Sequence, residues 1–207
     1  MISIVDYGMG NLRSVKKAFE SLGYSVALNR NPKEILSSSG LVLPGVGAFG
    51  ECMKNLEEYG LSEPIKEFIY NGKPFLGICL GLQLLFEESD ESPGIRGLGV
   101  LKGRVIRFSF DKKLKVPHMG WNRVDIDTEL PIARGIKNRS WFYFVHSYFP
   151  EPKDEGIIVG RTQYGIEFTS AVQKENIFAC QFHPEKSSST GLKLLENFAL
   201  MCEKRGN

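Results

Sequence analysis

The sequence predicts an α/β protein built on a central, mostly parallel sheet with helices on both faces. In the first half, short apolar strands alternate with amphipathic helices, a rhythm typical of parallel βαβ units. After Pro93 strands follow one another with little helix between them, which predicts an antiparallel elaboration of the same sheet. Because no linker-like stretch separates the halves, we expect a single domain over residues 1–207.

Apolar runs and turn residues define the elements of the first half. Gly23 and the pair Asn71-Gly72 end two helices, and Asn31-Pro32 opens a third, since Asn caps helices and Pro suits their first turn. The predicted strands are residues 2–5, 25–28, 41–43 and the run that leads into Cys79. The predicted helices are residues 12–22, a short one after Pro32, one that includes Met53 and Leu56, and residues 61–70.

The second half is predicted mainly as strands rich in β-branched and aromatic residues. These strands are residues 100–110, 122–126, 140–146, 157–162, 166–172 and 177–182. A last helix over about 190–203 places Leu192, Leu195, Phe198 and Leu200 at helical spacing toward the core. Lys112, Lys113 and Lys115 form a small basic cluster, which we expect at a solvated hairpin tip.

Composition excludes several classes of function. The 26 basic and 24 acidic side chains leave a net charge of +2, which gives no reason to expect nucleic acid or an anionic membrane as the main partner. No apolar run reaches the roughly 20 residues of a membrane span. The four cysteines lack CxxC spacing, so we expect free thiols in a reducing cytoplasm. Three dispersed histidines provide no metal site, and we expect neither a metal nor a cofactor.

Cys79 is the strongest candidate for chemistry. Residues 77–81 read Gly-Ile-Cys-Leu-Gly between a predicted strand and a helix, the pattern of an elbow that exposes a nucleophile. The helix N-terminus that follows favours a thiolate. An isolated cysteine is more often a small buried hydrophobe, and we give Cys52, Cys180 and Cys202 that interpretation because they lie on helices or within a strand.

His183 and Glu185 supply a base and the acid that orients it. His183 follows a predicted strand and is separated from Glu185 only by Pro184, so the carboxylate can fix the imidazole tautomer. His118 and His146 are weaker candidates, since His118 follows Pro117 in a segment rich in Gly and Trp and His146 closes an aromatic strand. With Cys79, this pair indicates acyl-transfer chemistry.

Residues 45–50 match GxGxxG after a strand, which leaves a nucleotide-binding interpretation open. The pattern is weak by itself, and it follows the third strand rather than the first. An alternative use is a flexible turn that aims a backbone N–H at a developing oxyanion.

These motifs resemble the triad (class I) glutamine amidotransferases. The resemblance rests on residues 77–83 and on His183-Pro184-Glu185, and it covers essentially the whole chain. It implies a three-layer class I glutamine amidotransferase-like fold. Segments 6–12, 43–49, 117–122 and 146–148 are similar to the glutaminase-subunit family of imidazole glycerol phosphate synthases, from histidine biosynthesis.

The resemblance implies that glutamine is hydrolysed to glutamate and ammonia through a Cys79 thioester. In that family His183 acts as acid and base and Glu185 orients it. The expected oxyanion donors are Leu80, Val46 and Gly47, and the residues expected to hold glutamine are Gln83, Ser147 and Tyr148.

The resemblance also implies a partner, a separate (β/α)8-barrel cyclase that receives the ammonia and makes imidazole glycerol phosphate and aminoimidazole carboxamide ribonucleotide. The residues expected at the docking face are Asn11, Pro117, His118, Trp121 and Lys186. Three alternatives stay open: a paralogous glutaminase that serves another synthase such as a sugar amidation enzyme, a cysteine peptidase or other acyl hydrolase, and a catalytically silent nucleotide-binding module.

Overall fold

The computed structural model describes residues 1–110 and 114–204, and these form twelve strands in two sheets. The strands are β1 (Ile2–Val5), β2 (Val26–Asn29), β3 (Gly40–Gly45), β4 (Phe75–Cys79), β5 (Glu88–Ser89), β6 (Gly103–Arg107), β7 (His118–Ile126), β8 (Ser140–His146), β9 (Tyr148–Pro152), β10 (Ile158–Tyr164), β11 (Ile166–Lys174) and β12 (Ile177–Cys180).

Six α-helices occur in the same described ranges: α1 (Leu12–Ser21), α2 (Pro32–Ser37), α3 (Phe49–Glu58), α4 (Ser62–Tyr70), α5 (Leu80–Gln83) and α6 (Ser188–Lys204). Asn31 caps α2 as the sequence predicts, because its side-chain oxygen accepts a hydrogen bond from Lys33 N at 2.9 Å. A short 3-10 helix, Pro184–Lys186, carries Glu185.

The larger sheet has nine strands in the order β2-β1-β3-β4-β12-β11-β10-β7-β8. Its first half, from β2 to β12, is parallel throughout. From β12 onward every neighbouring pair is antiparallel. The smaller sheet, β5-β6-β9, belongs to the elaboration. The predicted α/β architecture with a C-terminal antiparallel elaboration is therefore confirmed.

Buried side chains alternate between the two faces of the parallel half, as strand geometry requires. Val42 packs with the residues of α1 and α6 on one face, whereas Leu41 and Leu43 pack with α2, α3 and α4 on the other. The sheet is thus covered on both sides, which explains why its strands are mostly apolar in sequence.

The structure differs from the predicted elements at strands β9, β7 and β5. Strand β9 is absent from the prediction because it contains Pro150 and Pro152, which argue against a strand, yet it pairs along its whole length with β6. Strand β7 begins at His118 rather than at residue 122. The two-residue strand β5 is too short to carry a periodic signal. Lys112 and Lys113 lie outside the described residues.

The parallel order brings three strand ends together. Strands β3, β4 and β12 are neighbours, and their carboxyl ends lead into Val46, Cys79 and Gln181 at one edge of the sheet. This edge is where ligands bind in open α/β sheets. Among the described residues, no helix is both long and apolar enough to cross a membrane.

We predict that Gly81→Ala destabilises the protein by roughly 3 kcal/mol, since overpacking against rigid backbone has few ways to relax. A Cβ at Gly81 would lie 1.8 Å from the Leu43 carbonyl oxygen, so α5 would have to move away from β3. Urea unfolding measures the effect. Gly60→Ala is the control, since a Cβ there meets nothing and only the positive φ of 64° carries a cost of about 1 kcal/mol. Equal losses in the two variants would contradict this packing argument.

Candidate active site

Cys79 occupies the strained turn between β4 and α5. Its φ of 56° and ψ of −109° lie in a region that residues other than glycine rarely adopt. As the first residue of α5, Leu80 has a backbone N–H without an intrahelical acceptor. The turn therefore places the Cys79 sulfur next to the first backbone N–H of α5.

His183 follows β12 with its ring buried, and it is held by its neighbours. Its Nδ1 lies 2.8 Å from Glu185 Oε1, and because a carboxylate accepts, we assign the proton to Nδ1. Ser187 Oγ donates to the His183 carbonyl at 2.6 Å, which fixes the backbone. Burial lowers the pKa of His183, but the Cys79 thiolate and the Glu185 carboxylate outweigh it and raise this pKa above its usual range. The imidazolium is thus stabilised beside the sulfur.

A cavity of 270 Å³ opens beside these two side chains. It is lined by Val46, Gly47, Cys79, Leu80, Gln83, Glu91, Pro117, Val145, His146, Ser147, Tyr148 and His183. The structure thus places the sequence-predicted oxyanion and glutamine-binding residues around one space with Cys79 and His183. Glu185 does not line the cavity and lies behind His183. The arrangement suits attack by the sulfur on a small carbonyl compound.

Two side chains contact backbone carbonyls of the segment 44–47. The Tyr7 hydroxyl donates to the Pro44 carbonyl at 2.9 Å, and the Cys52 thiol lies 3.6 Å from the Val46 carbonyl. These two carbonyls flank the peptide between Gly45 and Val46, so its neighbours on both sides are restrained. The backbone at Gly47 has a φ of 99°, which favours glycine.

This segment does not leave a phosphate site at the start of α3, which is where a GxGxxG motif would place one. Phe49 N donates to Glu91 Oε2 at 2.8 Å, and Gly50 N donates to Ser92 Oγ at 2.9 Å. Since the helix N-terminus is occupied by side chains of the chain itself, the geometry weighs against the nucleotide-binding interpretation. In the described ranges no group of three or more His, Cys, Asp or Glu side chains is arranged to hold a metal ion.

Two polar residues of the site were missed by sequence reasoning. Glu91 lines the cavity but lies in an acidic stretch with no distinguishing pattern. Gln181 is fully buried, and its amide joins Gln83 Nε2 at 3.0 Å to the Cys79 sulfur at 3.6 Å. A signal for Gln181 exists, since a glutamine within a predicted buried strand requires a polar partner.

The other two histidines form a buried chain with fixed tautomers. His146 Nδ1 lies 2.8 Å from the Tyr148 carbonyl, which only accepts, so His146 Nε2 is unprotonated and accepts from His118 Nδ1 at 2.9 Å. Asn122 Nδ2 then donates to His118 Nε2 at 3.2 Å. Burial lowers the pKa of His118 to about 4, and burial, against the hydrogen bond to Tyr148, lowers that of His146 to about 3. Both rings are neutral at pH 7.

The expected docking residues differ in their exposure. The His118 side chain is buried among aromatic rings, so the expectation of a docking contact through this side chain does not fit the free chain. Trp121 is 48% exposed and neighbouring Met119 is 62% exposed. The Asn11 side chain makes no capping bond to α1, and Lys186 lies 5.9 Å from the centre of the Tyr143 ring.

The fold and the sequence together define the class of protein. Residues 3–202 match the family model described as glutamine amidotransferase class-I. A solved structure titled glutamine amidotransferase superposes with a TM-score of 0.77 at 21% identity, covering 98% of this chain and all of that one. The structure of PurLQS from Thermotoga maritima superposes with a TM-score of 0.72 at 17% identity, covering 96% of this chain and 97% of that one. At such identities these structures support the fold alone.

Curated relatives narrow the class further. The imidazole glycerol phosphate synthase subunit HisH of Methanocaldococcus jannaschii is 54% identical over 198 residues, covering 96% of this chain and 98% of the relative. The HisH subunits of Syntrophotalea carbinolica and Aquifex aeolicus are 50% and 52% identical, covering 97% of this chain in each case and 100% and 97% of the relatives. The chain belongs to the HisH family of class-I glutamine amidotransferases.

We predict that the buried histidines make the protein acid-sensitive. Their folded pKa values lie below the ordinary value of about 6.5, so the unfolded state binds more protons and stability falls as the pH drops below 6.5. Each histidine accounts for about 2 kcal/mol between pH 6.5 and pH 5, which is 1.36 kcal/mol per pH unit. The His118→Gln variant is therefore expected to lose less stability over this range, measured by urea unfolding at both pH values.

Tyr164→Phe is the control for this comparison. It keeps a ring against His118 and removes only a hydroxyl that donates to the Lys115 carbonyl at 2.8 Å, so its pH dependence is expected to match that of the unchanged protein. An unchanged pH dependence in His118→Gln would contradict the assignment of a buried neutral histidine.

Proposed function

We propose that the chain hydrolyses glutamine to glutamate and ammonia and delivers the ammonia to a separate cyclase subunit. The observation that carries this proposal is the opening of the Cys79 turn and of the His183 ring, which Glu185 holds from behind, onto one cavity. Membership of the HisH family supports glutamine as the substrate and histidine biosynthesis as the setting.

In the first half-reaction the Cys79 thiolate attacks the side-chain carbonyl carbon of glutamine. The tetrahedral oxyanion accepts hydrogen bonds from the Leu80 N–H and from the backbone at Val46 and Gly47. The C–N bond then breaks, His183 donates its Nε2 proton to the departing nitrogen, and ammonia leaves with a glutamyl thioester on Cys79.

In the second half-reaction water attacks the thioester carbon. His183 Nε2 takes a proton from this water, the C–S bond breaks, and glutamate leaves while Cys79 returns as a thiolate. Glu185 keeps the Nδ1 proton in place through both halves and stabilises the imidazolium, so it moves no proton itself.

The polar lining of the cavity fits the amino-acid end of glutamine. Gln83 Nε2 donates hydrogen bonds to the Tyr148 carbonyl and to Gln181 Oε1. This leaves Gln83 Oε1 as an acceptor for an N–H group. The Glu91 carboxylate also lines the cavity, and its other contact is the amide of Phe49. We assign these two acceptors to the α-ammonium group, and Ser147 and Tyr148 line the same cavity.

The proposed partner is a (β/α)8-barrel cyclase, and the names of the relatives as synthase subunits support a complex. Met119 and Trp121 lie on one face of β7, and their exposure is large for apolar side chains. Pro117, just before this strand, lines the catalytic cavity. A partner docked on this face, with Asn11 and Lys186 as polar contacts, lies next to the point where ammonia is released.

We propose further that the partner controls the oxyanion donors. The turn before α1 packs on the segment 44–47, since a Cβ at Gly10 would lie 3.5 Å from the Pro44 carbonyl and one at Gly47 would lie 2.8 Å from the Met9 methyl group. A contact with Asn11 therefore bears on the backbone that supplies one oxyanion donor.

The four free cysteines support a reducing, cytoplasmic compartment.

The alternative of a glutaminase that serves another synthase is not favoured, because the relatives from Syntrophotalea, Methanocaldococcus and Aquifex all carry the same synthase-subunit name. A peptidase differs in its substrate and would cleave peptides without glutamine hydrolysis. Parallel assays on glutamine and on peptides separate these activities.

We predict that Cys79→Ala abolishes glutamate production from glutamine in the presence of the liganded cyclase. His183→Ala is expected to lose about 10²- to 10⁴-fold in kcat, and Glu185→Gln less than that, because Glu185 orients the ring and transfers no proton. Glutamate release is measured with and without the partner. Equal turnover alone and in complex would overturn partner control, and retained turnover in Cys79→Ala would overturn the mechanism.

We predict that Trp121→Ala weakens cyclase binding by about 2 kcal/mol, roughly 30-fold in Kd, as expected of a tryptophan at the centre of an interface. Isothermal titration with the cyclase measures this effect. Tyr70→Ala is the control, because Tyr70 is an exposed aromatic residue at the end of α4. Helix α4 leads into the start of β4, so Tyr70 lies at the edge of the sheet opposite to the catalytic cavity. Equal affinities for the two variants would exclude the β7 face.

A further inference from the structure

Gln181 is a buried polar residue that takes no part in the proton transfers or the oxyanion contacts of the proposed reaction. It follows β12 directly, its side chain is fully buried, and its backbone N–H donates to the Ser170 carbonyl at 2.8 Å. Both ends of its amide have partners, Gln83 on one side and the Cys79 sulfur on the other. The position is therefore fixed by the sheet and by the site together.

The orientation of the Gln181 amide follows from the Tyr148 backbone carbonyl, which is two hydrogen bonds away. The Tyr148 carbonyl can only accept, so the end of Gln83 that lies 3.0 Å from it must be the NH₂ group. The same NH₂ group lies 3.0 Å from Gln181, which must present its oxygen there. The remaining end of Gln181, 3.6 Å from the sulfur, is consequently its NH₂ group.

We infer that Gln181 is a further catalytic residue, whose amide N–H donates a hydrogen bond to the Cys79 sulfur and stabilises the thiolate. Hydrogen bonds to a charged acceptor are stronger than neutral ones, and the buried setting increases their effect. The Val145 carbonyl, 4.0 Å from the sulfur, is an acceptor and gives the thiolate no support.

This inference deepens the proposed function and rests on it for the reaction that is accelerated. Gln181 transfers no proton. It stabilises the sulfur anion before attack on the carbonyl carbon, and again when the C–S bond of the thioester breaks and the electron pair returns to sulfur. Between these stages the sulfur is neutral and the hydrogen bond is weaker, so the contribution is largest in the free enzyme and at thiolate departure.

The test is the rate at which iodoacetamide alkylates Cys79 in the full chain, followed by mass spectrometry at fixed pH. Only a thiolate reacts rapidly, and Cys52, Cys180 and Cys202 are at most 1% exposed. We expect Gln181→Leu to slow alkylation roughly 10- to 100-fold, the loss of one hydrogen bond to a charged group. Partner-stimulated glutaminase activity should fall by a similar factor.

Two further variants separate this role from packing. Gln181→Glu keeps the size of the side chain and an acceptor for Gln83 but turns an oxygen toward the sulfur, so alkylation should slow at least as much as in Gln181→Leu. It also keeps the test valid should Gln181→Leu fail to fold. Cys180→Ala removes a buried neighbour on the same strand and should leave both rates unchanged.

Unchanged alkylation in both folded Gln181 variants would overturn the inference, even if glutamine is hydrolysed as proposed. Because alkylation does not involve glutamine, slowed alkylation in a chain that fails to hydrolyse glutamine would support the role of Gln181 and reject only the proposed substrate.

Discussion

The close approach of α5 to the sheet is the constraint on which the site depends. A Cβ at Gly81 would collide with the Leu43 carbonyl, and one at Gly77 would lie 2.9 Å from the Ala179 side chain, so glycine at both positions allows β3, β4 and β12 to lie side by side beneath the helix. Only with this spacing does the strained turn at Cys79 bring the sulfur to the residues that follow the two neighbouring strands. The same close packing of α5 on the sheet therefore both fixes the fold and positions the Cys79 sulfur.

The polarity of the site is set by groups that cannot change their roles. A backbone carbonyl accepts and never donates, and the Tyr148 carbonyl receives both Gln83 Nε2 and His146 Nδ1. That one acceptor fixes the direction of the amides on one side and of the imidazoles on the other. Because the residues are buried, reversing any member would leave an unsatisfied polar group at a cost of about 1–3 kcal/mol. The resulting order gives the catalytic cavity a defined electrostatic pattern before any substrate is bound.

Most of the parallel half of the fold could be predicted, because its strands are mostly apolar and most of its helices are bounded by Gly, Asn or Pro. The turn at Cys79 was equally predictable, since two glycines flank a cysteine between a strand and a helix. Strand β9 could not be predicted because Pro150 and Pro152 argue against it and its pairing with β6 is a tertiary contact. Gln181 and Glu91 were missed for a related reason. Their importance lies in neighbours that are distant in sequence, Cys79 and the start of α3, and although a glutamine in a buried strand signals a polar partner, the local sequence does not identify that partner.

The region proposed to bind glutamine and the region proposed to bind the partner differ in the hydrogen bonds that they make within the chain. His183 and Glu185 hydrogen-bond each other, as do Gln83 and Gln181, whereas Asn11 makes no capping bond and the apolar face of β7 at Met119 and Trp121 stands open. The segment 44–47 lies between these regions, tied to Tyr7 and Cys52 on one side and covered by Met9 on the other. We propose that a partner that engages the open region shifts this backbone and so completes the oxyanion donors. Such control restricts ammonia release to the complex, which suits an enzyme whose product is useful only when the receiving subunit is present.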